Sequence, residues 1–328
     1  MSLKSYLNAV KSDGKIPVIA VVGPTASGKS DLAVEICKNY GGEVVSADSM
    51  QIYRDIGIST AKPTKEEMQG IRHHLIDIIE LNEPFNVYEY CKLAKEALLD
   101  ISNRNLLPVL AGGTGLYIDS LLKGVSFSDS DANQNIREEI IKKANEKGYE
   151  SLLEELRQID LGVAEKLNVN DKNRIVRALE RFYATGKTPT QLNEESIKIS
   201  SVFKPIYIGL NFADRFLLYD RINYRVDEMV KRGILDEAMH FYKAEKSSTS
   251  IQAIGLKEFF SYFDRESTLE ESIEKLKQST RRYAKRQLTW FRRNSEIKWF
   301  NIDEYPNRTS LYDSIFLYLN DKFSEPNI

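Results

Sequence analysis

Cysteine is scarce: Cys37 and Cys91 are the only two in 328 residues, they stand far apart, and no CxxC occurs. A disulfide framework is excluded by that count. Three histidines, of which only His73 and His74 are adjacent, leave too few ligands for a structural zinc site. No apolar run approaches the roughly 20 residues that span a bilayer. The N-terminal stretch MSLKSYLNAVKSDGK lacks an apolar core of signal-peptide length, so a cytoplasmic chain without a membrane role is expected. Neither sign of charge dominates, with 46 Lys and Arg against 48 Asp and Glu and a formal net charge of -2. A polyanionic partner must then be held by a local patch and not by a global field. Internal repeats and low-complexity segments are absent. What is present is ordinary globular material, 42% hydrophobic and 29% charged, in a length that suits one large domain or two ordinary ones.

The opening third alternates short apolar runs with longer amphipathic ones, the pattern of a parallel sheet covered by helices. Strands are expected at Ile16 to Val22, Gly42 to Ala47 and Leu106 to Leu110, with a further one from His73 to Ile79 that Asp77 weakens. Gly28 to Lys38 reads as a helix, and another starts at the capping box Asn86 with Glu89 and runs to about Ser102. From Asp129 to about Ser200 the periodicity is helical throughout, and strand character returns at Lys204 to Leu210. An α/β core is therefore expected over residues 1–128 and 201–328, interrupted by a helical domain over 129–200. Helices follow from Asp214 to Arg232 and to near Tyr242, then a long one from a capping box Ser267 with Glu270 to about Arg293.

The sharpest local signal is GPTASGKS, Gly23-Pro24-Thr25-Ala26-Ser27-Gly28-Lys29-Ser30, a G-x-x-x-x-G-K-[ST] loop after a strand and before a helix. Glycines let the backbone wrap an anion, the helix N-terminus supplies N–H groups, Lys29 adds a point charge, and Ser30 is placed to hold Mg²⁺. That constellation binds a polyphosphate. A P-loop ATPase normally follows with an apolar strand ending in a metal-organising carboxylate. Here the strand LLPVL ends in Ala111-Gly112-Gly113-Thr114 instead, and the acidic residue at a strand end is Asp48. Asp48 fits a helix N-cap as well as a catalytic carboxylate, and Thr114 fits a turn or cap.

Together GPTASGKS, SADSMQIYRDIGISTAKP, HHLID, VLAGGTGLYIDSLLKG, NDKNRIVRALERFYATGKT, DRINYRVDEM and TRRYAKRQLTWFRR resemble the tRNA dimethylallyltransferase (IPP transferase) family, in order, from about Ile16 to Arg293. The resemblance implies a P-loop-type parallel sheet with an inserted helical tRNA-binding domain and C-terminal helices. It also implies an enzyme that moves a dimethylallyl group from dimethylallyl diphosphate to N6 of adenosine 37 in tRNAs reading codons that begin with U, releasing pyrophosphate. Mg²⁺, the tRNA anticodon stem-loop and dimethylallyl diphosphate are the implied cofactor and partners, and a monomer is expected.

By the same resemblance Asp48 is the base for the N6 proton, Thr114 a site threonine, and Lys29 with a metal on Ser30 the holder of the leaving group. The diphosphate sits on Gly23 to Ser30, with Arg215 and Arg221 as clamp candidates and Arg221 preferred. The tRNA contacts carried over are Asp48, Ser49, Met50 and Gln51, then Arg137, then Asn173, Arg174, Ile175, Val176 and Arg177, then Gln252, Ala253, Ile254, Gly255, Leu256 and Lys257. Leu256 stands where family members often carry tyrosine. Arg174, Arg177 and Arg181 recur at helical i, i+3, i+7 spacing and are expected on one phosphate-contacting face. The strip Arg281 to Arg293 has six basic residues and no acidic one, with Tyr283, Trp290 and Phe291 interleaved. It suits an RNA contact, or a solvated face behind a core stripe of Ala284, Leu288 and Phe291. Rival readings are a free-adenylate isopentenyltransferase, a small-molecule P-loop kinase and a non-catalytic RNA-binding P-loop protein.

Overall fold

The apolar, β-branched run IPVIAVV has no polar face to turn to water, and it forms the fully buried β1 (Ile16–Val22). It follows α1 (Leu3–Ser12) in a computed structural model that describes residues 3–124, 134–197 and 201–324. The chain continues through α2 (Lys29–Tyr40), β2 (Gly42–Ser46), α3 (Lys65–Met68), β3 (His73–His74), α4 (Val87–Asn103), β4 (Leu107–Gly112) and α5 (Gly115–Leu122). α6 (Gln134–Ile159), α7 (Leu161–Ala164), α8 (Lys172–Thr185) and α9 (Pro189–Ile197) follow. Then come β5 (Phe203–Asn211), α10 (Arg215–Lys231), α11 (Ile234–Lys243), α12 (Phe260–Phe263), α13 (Leu269–Phe291), β6 (Lys298–Asn301) and α14 (Arg308–Ser324).

Among the described residues six strands form one sheet in the order β3-β2-β4-β1-β5-β6, and every neighbouring pair is parallel. This is the expected α/β class. Because alternate residues of a strand face opposite sides, β1 sends Val18, Ala20 and Val22 into one core and Ile19 and Val21 into the other. On the first side the sheet is covered by α4, α5, α11 and parts of α10 and α13, and on the second by α1, α2 and α14. The chain leaves β1 toward β2 and later returns from β4 past β1 to β5, so the order reverses between β1 and β4. Crevices at such a reversal, beyond the carboxyl ends of the strands, are where open α/β sheets hold ligands.

The chain divides into two compact units, Met1–Leu122 with Val202–Ile328, and Lys123–Ser201. The second is helical among its described residues and encloses its own core of Leu152, Leu156, Ile175 and Leu179. α6 kinks at Gly148, whose φ of 81° a helix cannot hold. The domain limits expected at 128, 129 and 200 lie outside the described residues.

The structure departs from expectation at three places. The strand expected from His73 to Ile79 is only His73–His74, because Leu75 and Asp77 take φ values of 63° and 55° that end the pleat. The long helix begins one residue later than expected. Thr268, not Ser267, is the extended N-cap, and Glu271 completes the box, while the Ser267 hydroxyl turns to Ser261 and Ser272. In its last turns the buried stripe is Ala284, Gln287 and Phe291, with Leu288 only partly covered.

Candidate active site at the carboxyl edge of the sheet

Between β1 and α2 the loop from Gly23 to Ser30 bends through backbone states that side chains resist. Gly23 has φ 144°, and a Cβ there would meet the Leu210 carbonyl oxygen at 2.3 Å. Ala26 takes φ 64° and Gly28 φ 80°, the latter opening α2. The buried Ser27 hydroxyl donates to the Pro24 carbonyl at 2.8 Å, and Lys29 Nζ donates to the same oxygen at 2.6 Å. The loop thus presents a helix N-terminus beside a folded-back lysine, an arrangement for anions. Burial pulls the Lys29 ammonium down to about 7, the Arg225 cation adds to the fall, and Asp48 opposes it.

Asp48 stands just past β2, where Oδ1 accepts the Met50 N–H at 2.9 Å. No helix starts there, so the carboxylate closes an Asx turn and is not a helix cap. The turn is tied to the next strand end: Thr114 N–H donates to Ala47 at 3.0 Å, and Thr114 Oγ1 accepts the Ser49 N–H at 3.0 Å. Close approach needs Gly112, where a Cβ would lie 2.2 Å from the Ala47 carbonyl oxygen. A Cβ on Gly115 would strike the Trp290 ring at 2.3 Å.

α10 supplies cations from across the crevice. Arg221 Nε donates to the Ala26 carbonyl at 3.1 Å, and its guanidinium lies over the Phe212 ring. One turn on, Arg225 faces Lys29 and Asp48 with no carboxylate within ion-pair distance among the described residues. Burial lowers its guanidinium below the ordinary value, against the pull of Asp48. Arg215, at the start of the helix, lies over Phe216 and borders no cavity described here.

Two cavities open here. One, of about 730 Å³, is bounded by Thr25, Ala26, Gly28, Lys29 and Ser30, by Gly112 and Gly113, and by Arg221 and Gln287. The other, of about 310 Å³, has an apolar wall of Ile222, Val226, Met229 and Leu276 and a polar side with Ser49, Gln252 and Lys257. Thr25, Asp48, Thr60, Arg225 and Tyr283 border both. Asp48 therefore stands where an anion in the first cavity would meet a second molecule in the other. Burial, with the Asp48 charge adding to it, pushes the Tyr283 phenol up, so it stays protonated.

Of the expected site residues, Thr25, Ala26, Gly28, Lys29, Ser30, Asp48 and Arg221 are brought together at these cavities. Gly23, Pro24 and Ser27 shape the loop from behind, and Thr114 borders neither cavity, its hydroxyl accepting the Ser49 N–H of the Asp48 turn and meeting the Tyr283 phenol. Ser49, Met50, Gln252, Ile254 and Lys257 line the second cavity, and Gln51 the first. Within the carried-over segments, Ala253 and Leu256 are fully enclosed in the core, as are Ile175 and Val176 in the helical unit, which removes their side chains from any surface. Leu256 is thus a packing residue, and the tyrosine question at that position concerns the core. In the helical unit Arg137 and Arg177 both reach the buried Glu180, at 3.1 and 3.2 Å, and Arg174 lies 3.7 Å from Asp171.

The structure adds Arg225 and Gln287 to the expected site residues. Arg225 repeats Arg221 at i+4, a spacing that marks one helix face. Gln287 sits in a buried stripe where a polar residue is anomalous.

Residues 51–294 match the family model described as IPP transferase. The chain is 48% identical over 312 residues to a tRNA dimethylallyltransferase of Thermoanaerobacter sp. (strain X514), covering 94% of this chain and 99% of the relative. Among solved structures it resembles the full-length tRNA isopentenylpyrophosphate transferase of Bacillus halodurans. There the TM-score is 0.70 and the identity 40%, over 94% of this chain and 97% of that one. A eukaryotic dimethylallyltransferase acting on tRNA matches with TM-score 0.83 at 29% identity, over 96% and 81% of the two chains. With a phosphate loop, an Asx-turn carboxylate and a cation-bearing helix meeting at one sheet edge, and with relatives matching along nearly its whole length, the chain belongs to the IPP transferase family.

Proposed function

We propose that this chain transfers the dimethylallyl group of dimethylallyl diphosphate to N6 of adenosine 37 in tRNAs reading codons that begin with U. The observation that carries the reading is Asp48, which borders both cavities beside Lys29 and Arg225. The diphosphate lies in the larger cavity on the loop N–H groups, Lys29, Arg221 and Arg225. The flipped adenine and the prenyl carbons occupy the smaller one, since a base inside a stem-loop stack is out of reach. N6 attacks the first prenyl carbon, the bond from that carbon to the diphosphate oxygen breaks, and pyrophosphate leaves with its charge met by the cations. The N6 lone pair is delocalised into the ring, so the amine needs its proton taken as the new bond forms, and the Asp48 carboxylate accepts it. Thr114 holds the Asp48 turn in place.

The donor set suits Mg²⁺. Ser30 lies in the first turn of α2 and lines the larger cavity, as Asp31 and Asp48 do, and no group of three or more His, Cys, Asp or Glu forms an all-protein cage among the described residues. Magnesium is usually held by one or two carboxylates plus substrate phosphates, and in a G-x-x-x-x-G-K-[ST] loop by the closing Ser or Thr hydroxyl. Ser30 would hold it, and when bound it would share the charge of the departing pyrophosphate.

For tRNA, Ser49, Met50, Gln252, Ile254 and Lys257 surround the entering base. Arg137, Asn173, Arg174 and Arg177 of the helical unit meet backbone phosphates. The test is single-turnover prenyl transfer by Asp48→Asn with both substrates saturating. Asn closes an Asx turn as Asp does, so the fold should hold. A lost general base costs on the order of 10²- to 10⁴-fold in rate. A folded variant reacting within about threefold of the parent would remove Asp48 from the chemistry.

A further inference from the structure

Gln287 comes from α13, far along the chain from the phosphate loop, yet its side-chain amide lies between that loop and the turn after β4. Oε1 accepts the Thr25 N–H at 2.8 Å, and Nε2 donates to the Gly113 carbonyl at 3.0 Å. The residue is 5% exposed. One partner is a donor and the other an acceptor, so the amide fits in one orientation only.

Its space is reserved. A Cβ on Gly113 would lie 2.0 Å from Gln287 Nε2, and apart from that amide its next neighbour is the Gly23 carbonyl oxygen at 3.7 Å. Gly113 adjoins Thr114, whose hydroxyl accepts the Ser49 N–H in the Asp48 turn. A continuous path therefore runs from Thr25 through Gln287, Gly113 and Thr114 to Ser49 and Asp48. Its two ends are the loop that holds the anion and the carboxylate at the junction of the cavities. α13 is braced in the same place by Trp290, whose Nε1 donates to Asp119 at 2.8 Å.

We infer that Gln287 is a positioning residue, which sets the separation between the diphosphate loop and Asp48 and so governs the prenyl-transfer step more than the binding of either substrate. The inference rests on the function proposed above. In-line attack needs the donor carbon, N6 and the base in register, and a misplacement of about 1 Å is enough to cost on the order of 10²-fold. Each half of the site keeps its own binding groups without the amide, so the substrates still bind to a loosened pair.

Gln287→Met keeps the length and apolar bulk of the side chain and removes the hydrogen bonds to Thr25 and Gly113, together with the one to the Tyr283 phenol. Single-turnover rates with saturating tRNA and dimethylallyl diphosphate should fall about 10- to 100-fold, with each dissociation constant within about threefold of the parent. A folded variant at the parent's rate would overturn the inference, as would a rate loss accompanied by an equal loss of diphosphate affinity.

Gly113→Ala supplies a second reading that does not depend on Gln287→Met folding. Its methyl group pushes the amide away, so Gly113→Ala and Gln287→Ala should each slow transfer while the double variant is no slower than Gln287→Ala. Losses that multiply would contradict a shared device. Asp48→Asn in the same assay separates the two readings. No transfer to tRNA by the parent chain defeats the proposed function, a fast Asp48→Asn defeats Asp48 as the base, and a slow Asp48→Asn beside an unimpaired Gln287→Met defeats the positioning role alone.

Discussion

Lys29 concentrates the electrostatics of the site. Desolvation comes first and Arg225 second in lowering its ammonium from 10.5 to about 7, and Asp48 acts the other way. A diphosphate is best met by the charged form, so binding above about pH 7 must take up a proton. Diphosphate affinity should then fall by about tenfold per pH unit above that point in the parent. With Lys29→Arg, whose guanidinium keeps its charge, the profile should be flat, and titration calorimetry across pH 6.5 to 9 checks both. The sign for stability follows from the same shift: between about 7 and 10.5 the unfolded chain binds more protons, so Lys29 adds stability as pH rises through that window. At this scale the loop and Asp48 are legible because each is a local pattern whose neighbours along the chain state its geometry. Arg225 and Gln287 are not, because their positions at the cavities follow from how α10 and α13 pack, which neighbours in sequence do not report.

Among the elements, those that read well are the ones whose patterns are self-contained. The run IPVIAVV, the box Asn86 with Glu89 and the return of strand character near Lys204 all appear as expected. β6 does not announce itself, since KWFN is four residues of mixed polarity and becomes a strand by pairing with β5. α14 is weakly patterned too, yet it buries Leu311, Ile315, Leu319 and Phe323 against the second face of the sheet. Its packing role gives a direct expectation. Ile315 is fully buried, and Ile315→Ala should cost about 2 to 5 kcal/mol through lost burial and the cavity left behind. Urea unfolding measures this, and a cost under about 1 kcal/mol would mean that α14 is dispensable to the core. Prenyl transfer below the melting range should be little changed, because α14 borders neither cavity.

As a whole molecule the chain carries a formal net charge of -2, which suggests indifference to RNA. Local placement of charge overrides the sum: Arg137, Arg174 and Arg177 gather in the helical unit, and Lys257 and Arg286 border the smaller cavity. tRNA affinity should therefore fall steeply with salt, and Arg174→Ala with Arg177→Ala should reduce the slope of log K against log salt by about 1.4 to 1.8, two phosphate contacts' worth. An unchanged slope would return those arginines to Asp171 and Glu180 as internal partners only. The discontinuous organisation is visible in the sequence as a change of period, whereas the path from loop to carboxylate through α13 exists only once the sheet has closed. Acceptor choice distinguishes a tRNA prenyl transferase from every rival. The chain is incubated with labelled dimethylallyl diphosphate and either tRNA lacking the modification, AMP or ATP, and the labelled product is digested to nucleosides. Label on N6 of adenosine 37 in tRNA, with none on AMP or ATP, is the outcome expected of a tRNA prenyl transferase, and label on AMP with unmarked tRNA would contradict it.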